Sequence, residues 1–90
     1  MLNLKQVTFG KLGTSVYDFP LVGDVLPMHT HGPLDVHITI IARGSIRMHG
    51  NGWEKIGKAG DVVDWEPGMA HEFVALEPNT RVVNVVKGGA

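Results

Sequence analysis

Five histidines carry most of the chemistry this 90-residue sequence offers, and three of them fall between Gly23 and Gly44, in the run GDVLPMHTHGPLDVHITIIARG. His29 and His31 are separated by one residue, and in an extended strand side chains at i and i+2 leave the same face. Two imidazoles therefore converge. Gly32-Pro33 is a turn signal, and Val36 to Ala42 reads as a second strand dense in β-branched residues, with His37 near its start. A hairpin of this kind returns His37 towards the first pair. His71 arrives from much later in the chain, set by Pro67-Gly68 at the head of another strand, His71 to Leu76. Neutral imidazole suits Fe(II), Mn, Ni, Cu or Zn, and four so arranged can close on one divalent metal ion.

Strands must position these residues, and the rest of the chain supplies them. Leu4 to Phe9 and Thr14 to Phe19 alternate polar and apolar residues around Gly10 and Gly13. Ser45 to His49 reads as a strand with Ile46 and Met48 on one face and Ser45, Arg47 and His49 on the other, which turns His49 towards solvent. Gly50-Asn51-Gly52 is a hairpin signal before a return strand, Trp53 to Ile56, and Gly57 and Gly60 bracket a turn, with Asp61 as a turn residue, before Asp61 to Trp65. His71 shares its face with Phe73 and Ala75; Trp65 and Phe73 read as core, and Met28, Met48 and Met69 as core or rim. The last strand is Thr80 to Lys87. Turns recurring about every ten residues fit an all-β sandwich or barrel, and no stretch of useful length has helical periodicity.

Composition narrows the function classes. Ninety residues suit one domain, spanning 1–90, with a small core. Eight Lys and Arg against nine Asp and Glu, with no run of like charge, leave no electrostatic footprint for nucleic acid or for a membrane surface. There is no cysteine, so a metal must be held by nitrogen and oxygen, and neither a disulfide framework nor a thiol nucleophile is available. The first residues, MLNLKQVTFG, lack a basic segment followed by an apolar core, and no apolar run reaches membrane-spanning length. A soluble cytoplasmic protein is the expectation.

The spacing of these residues resembles that of the cupins. The first cupin motif is Gly, five residues, His-x-His, three or four residues, Glu, six residues, Gly; here Gly23 is followed by five residues, His29-Thr30-His31, five residues, His37, six residues and Gly44. The loop is one residue longer, and His37 stands where the family has its Glu ligand. The second motif is Gly, five residues, Pro-x-Gly-x-x-His, three residues, Asn; Gly60, Gly68 and His71 match it, while Glu66 and Ala75 replace its Pro and Asn and proline moves to Pro67. Together the motifs span Gly23 to Ala75, over half the chain.

The resemblance implies an all-β, single-domain double-stranded β-helix, the jelly-roll barrel of the RmlC-like cupins, with a divalent transition metal inside it on His29, His31, His37 and His71. Asp35, at the shorter loop spacing, is the alternative to His37, which preserves the six-residue interval to Gly44. Glu66 reads as a solvated loop charge whose place near His71 also allows a supporting role. Two functional classes follow: a metal-centred activity on a small molecule, or a binding or sensing module in which the metal is structural or absent. No Tyr-His or carboxylate pair offers general acid-base chemistry, and enzyme status stays open. Because His37 replaces a carboxylate, the expected ligand is a small anion that offsets the metal's charge. Val36, Ile38 and Ile40 would face outward, and neighbouring valines at 82/83 and 85/86 put valine on both faces of the last strand, so a homodimer is expected to cover the outer sheet.

Overall fold

Alternating apolar residues punctuated by glycine turns form nine strands among the described residues, which in this computed structural model are 2–29, 36–66 and 68–87. They are β1 (Asn3–Phe9), β2 (Leu12–Phe19), β3 (Val25–His29), β4 (Val36–Arg43), β5 (Ser45–Gly50), β6 (Trp53–Lys58), β7 (Val62–Trp65), β8 (His71–Ala75) and β9 (Thr80–Lys87). One sheet has the order β1-β2-β9-β4-β7 and the other β3-β8-β5-β6, all neighbours antiparallel. The sequence expectation of an all-β chain is met, with strand ends moved by up to two residues. Among the described residues no helix is long and apolar enough to cross a membrane.

The core lies between the two sheets, and strand parity decides what enters it. Phe19, Ile41 and Val82 from the first sheet meet Ile46, Met48 and Phe73 from the second, each fully buried. Burying an apolar side chain of this size stabilises the fold by about 1.5–3 kcal/mol. His49 and Arg47 lie on the outer face of β5, as the alternation requires, and His49 is half-buried there against Glu72, its Nε2 2.8 Å from Oε1.

Two glycines hold junctions that no other residue fits. Gly44 links β4 to β5, hence one sheet to the other, with φ +77°, and a Cβ there would collide with Thr80. Gly50 ends β5 with no such torsion, but a Cβ would meet the Trp53 indole and stand 2.5 Å from the Ala70 carbonyl oxygen.

One expectation fails. The segments around His29 and His37 do not form a hairpin, because β3 pairs with β8 in one sheet and β4 with β9 and β7 in the other. Pro27 has no N–H to give a second neighbour, which suits β3 to its place at a sheet edge. The alternately buried β4 lies between two partners and carries its less buried face outward. The two histidines therefore approach across the core rather than along a shared ladder.

Candidate functional site

His71 opens β8 and is fully buried; His29 ends β3 directly opposite it in register. Four residues on β3, from Leu26 to His29, span what three residues span on β8, from Phe73 to His71, so β3 carries a bulge. An extra residue reverses side-chain parity beyond it. Without the bulge Met28 would share the inward face of Leu26; with it His29 does, and Met28 is 44% exposed. The His29 and His71 rings meet edge to face with centroids 4.4 Å apart. His37, 3% exposed, faces them from the opposite sheet at 5.3 Å from His71.

Hydrogen bonds orient these rings. Nδ1 of His29 lies 2.7 Å from the Pro27 carbonyl oxygen and Nδ1 of His71 lies 3.1 Å from that of Met69. A carbonyl only accepts, so each Nδ1 carries the proton and donates it. In the neutral ring the lone pair then sits on Nε2, and both Nε2 atoms are shut off from solvent. This is the arrangement by which a backbone carbonyl sets the tautomer of a metal-ligating histidine. His37 differs: its Nε2 stands 3.4 Å from the Thr39 hydroxyl.

Aromatic rings wall the site. Trp65, directly opposite His37 in the β4–β7 register, stacks on His37 at 6.1 Å. Phe73 stacks on His71 at 5.2 Å, with planes 22° apart. Beyond Trp65 lies Trp53, 5.4 Å from it, which with Asn51, Glu66, Gly68, Met69 and Ala70 lines a pocket of about 350 Å³. Glu66 thus lines this pocket, which among the described residues none of the histidines lines.

Of the residues singled out in the sequence, His29, His37 and His71 come together and His49 stays outside them, paired with Glu72. His31 and Asp35 lie outside the described residues. Among the described residues no group of three or more His, Cys, Asp or Glu is arranged to hold a metal ion. Thr39 shares the parity of His37 but was given no role by the sequence, and Asn84 escaped it, although Asn84 interrupts a valine run, VVNVV, on the inward parity of Val82. A polar residue at such a position was the available signal.

No family model matches the sequence, and no curated protein does. Solved structures do match. KdgF from Halomonas sp. superposes with a TM-score of 0.82 at 22% identity, over 96% of this chain and 79% of that one. An RmlC-like cupin protein from Desulfovibrio desulfuricans gives 0.84 at 17% identity, over 96% and 81%. The Cupin_2 domain of an XRE family transcriptional regulator from Enterobacter cloacae gives 0.85 at 11% identity, over 99% and 98%. Two antiparallel sheets, on a backbone that follows these structures almost end to end, give this chain the two-sheet, jelly-roll-like fold that these cupin structures have.

Proposed function

We propose that this domain binds a divalent transition metal through His29, His31, His37 and His71 and uses it to hold a small anionic molecule. The observation that carries this reading is the pair of backbone-anchored rings: His29 and His71 each give Nδ1–H to a carbonyl two residues back, which commits Nε2 to the interior. An all-imidazole donor set suits Fe(II), Mn, Ni, Cu or Zn. When bound, the ion supplies a Lewis-acidic, dipositive centre that polarises an oxygen ligand. The chain's own part is to orient the imidazoles, exclude water with Trp65 and Phe73, and admit the ligand beside Trp53 and Glu66. Four neutral ligands leave the metal's charge uncompensated in an interior of low dielectric, which favours a small carboxylate, 2-oxo acid or enolate over a neutral polyol.

A second reading is a binding or sensing module without chemistry of its own, with a structural metal or none. It is supported by the near-complete overlap with the cupin domain of a transcriptional regulator. In either case a homodimer covers the outer face of the five-stranded sheet, where Val16, Ile38, Ile40, Val83 and Val85 are only half-buried.

Elemental analysis after reconstitution tests the metal, with about one ion per chain expected, as for a closed site of four protein ligands. His29→Ala and His71→Ala should lose it and His49→Ala should keep it; the reverse pattern rejects the assignment. Calorimetry of the loaded protein with oxalate, acetate and a neutral polyol tests the ligand class. Equal affinity for all three, or no weaker anion binding in His37→Glu, rejects the charge argument.

A further inference from the structure

A single hydroxyl sits where three polar groups meet behind His37. Thr39 is fully buried, and its Oγ1 lies 2.8 Å from the indole Nε1 of Trp65, 2.5 Å from Oδ1 of Asn84 and 3.4 Å from Nε2 of His37. Asn84 is 2% exposed and stands opposite Thr39 in the β4–β9 register; Trp65 reaches across from the end of β7. These bonds come from three adjacent strands of one sheet.

A hydroxyl has one proton to give and two lone pairs to accept with, and an indole nitrogen only donates. One lone pair of Thr39 is therefore taken by Trp65. The remaining proton and lone pair must be divided between Asn84 and His37. Since Asn84 turns its carbonyl oxygen to Thr39, the proton goes there, and the last lone pair can only accept from His37 Nε2–H. We infer that Thr39, clamped by Trp65 and Asn84, fixes the tautomer of His37, so that His37 carries its proton on Nε2 and offers Nδ1 as its lone-pair nitrogen. Thr39 and Asn84 are positioning residues acting through His37. The consequence for metal binding rests on the proposed function: His37 contributes through Nδ1, whereas His29 and His71 contribute through Nε2.

The coupling runs both ways. The Asn84 Nδ2 has no hydrogen-bond partner among the described residues although it is buried. If Asn84 presented that group to Thr39 instead, both hydroxyl lone pairs would be occupied, the hydroxyl would donate its hydrogen bond to His37 Nε2, and the ring proton would sit on Nδ1, reversing the tautomer. The orientation of one buried amide thus selects which nitrogen of His37 can bind.

The decisive experiment is long-range ¹H–¹⁵N correlation of the histidine rings in the metal-free full chain, titrated until the rings are neutral. Wild type should show His37 as the Nε2–H tautomer and His71 as the Nδ1–H tautomer. Thr39→Ser should keep the His37 pattern, Thr39→Val should give a mixture, and Asn84→Ala, which frees the hydroxyl proton, should move His37 towards Nδ1–H. An Nδ1–H His37 in wild type, or a His37 unmoved by both Thr39→Val and Asn84→Ala, overturns the inference. Zn²⁺ affinity is the second readout: Thr39→Val should weaken it by about 10–100-fold, as loss of a group orienting a metal ligand does, and Thr39→Ser should restore it. A protein that shows these tautomers but takes up no metal rejects the proposed function and leaves this inference standing. A metal-binding protein with the opposite tautomer rejects this inference alone.

Discussion

Trp65 lies on His71 with ring centroids 4.5 Å apart and planes 23° from parallel, and the same indole donates its N–H to Thr39. One side chain therefore packs against a histidine of one sheet and hydrogen-bonds to the hydroxyl that faces a histidine of the other. Its two roles separate by mutation. Trp65→Phe keeps a ring but removes the donor and should cost about 1 kcal/mol of hydrogen-bond energy, plus the loss of part of the buried ring. Trp65→Ala opens a cavity and should cost about 3–5 kcal/mol. Urea denaturation of both variants measures the difference.

The outer sheet face predicts association. Ile38 and Val85 are directly paired across β4 and β9 and point away from the core. Ile38→Lys and Val85→Lys should leave the fold intact and convert a dimer to a monomer, read by light scattering. A wild-type protein that stays monomeric at high concentration would reject the dimer.

Acid stability should depend on Asp18. Its carboxylate accepts two hydrogen bonds from Arg81, at 2.6 and 3.1 Å, and Arg43 lies 3.9 Å away. The Arg81 hydrogen bonds, followed by the charges of Arg81, Arg43 and Lys5, hold its pKa below the ordinary 3.8. Because the folded state holds this proton less tightly than the unfolded state, the pair stabilises the protein fully above that ordinary value. The contribution fades as the pH falls below 3.8 through the lowered folded pKa. Urea midpoints should place Arg81→Met below wild type at pH 7, with the gap narrowing in strong acid.

Gly50 and Gly52 flank the same turn and should fail for different reasons. Gly52 has φ +78° and open space around its Cβ position, so Gly52→Ala should cost about 1–2 kcal/mol of backbone strain, and Gly52→Asn less. Gly50 has ordinary torsions but no room beside Trp53 and Ala70, so Gly50→Ala should cost about 1–3 kcal/mol by overpacking, and Asn should be worse still. Thermal melts of the four variants distinguish the patterns.

The strands were legible because alternation and glycine turns act locally: β5, β6 and β9 begin where the pattern sets them, and Ile46, Met48 and Phe73 are core as their parity requires. His37 and His71 were legible from the same parity. His29 was placed inward by an argument that the fold reaches differently, through a bulge at Leu26–His29 that no residue type announces. The assignment of β3 and β4 to separate sheets was also invisible, since it depends on which strands from the end of the chain come to pair with them. Thr39 and Asn84 are 45 residues apart and meet only through that pairing.

The place of Thr80–Lys87 in its sheet has a consequence for how the molecule comes into being. This strand lies between β2 and β4, so the five-stranded sheet is two separate pieces until it is inserted. Hairpins β1–β2 and β5–β6 can close within microseconds of their emergence, but Asn84 must reach Thr39 before His37 has its neighbour. During synthesis the earlier strands wait with exposed edges, and the sheet joins only once its central strand has left the ribosome. Folding dominated by such long-range pairing belongs to the slow, millisecond-to-second class. His37 is then among the last residues to gain its neighbours, and a nascent chain stalled before residue 80 holds it with no settled geometry towards His29 and His71, whose strands pair in the other sheet.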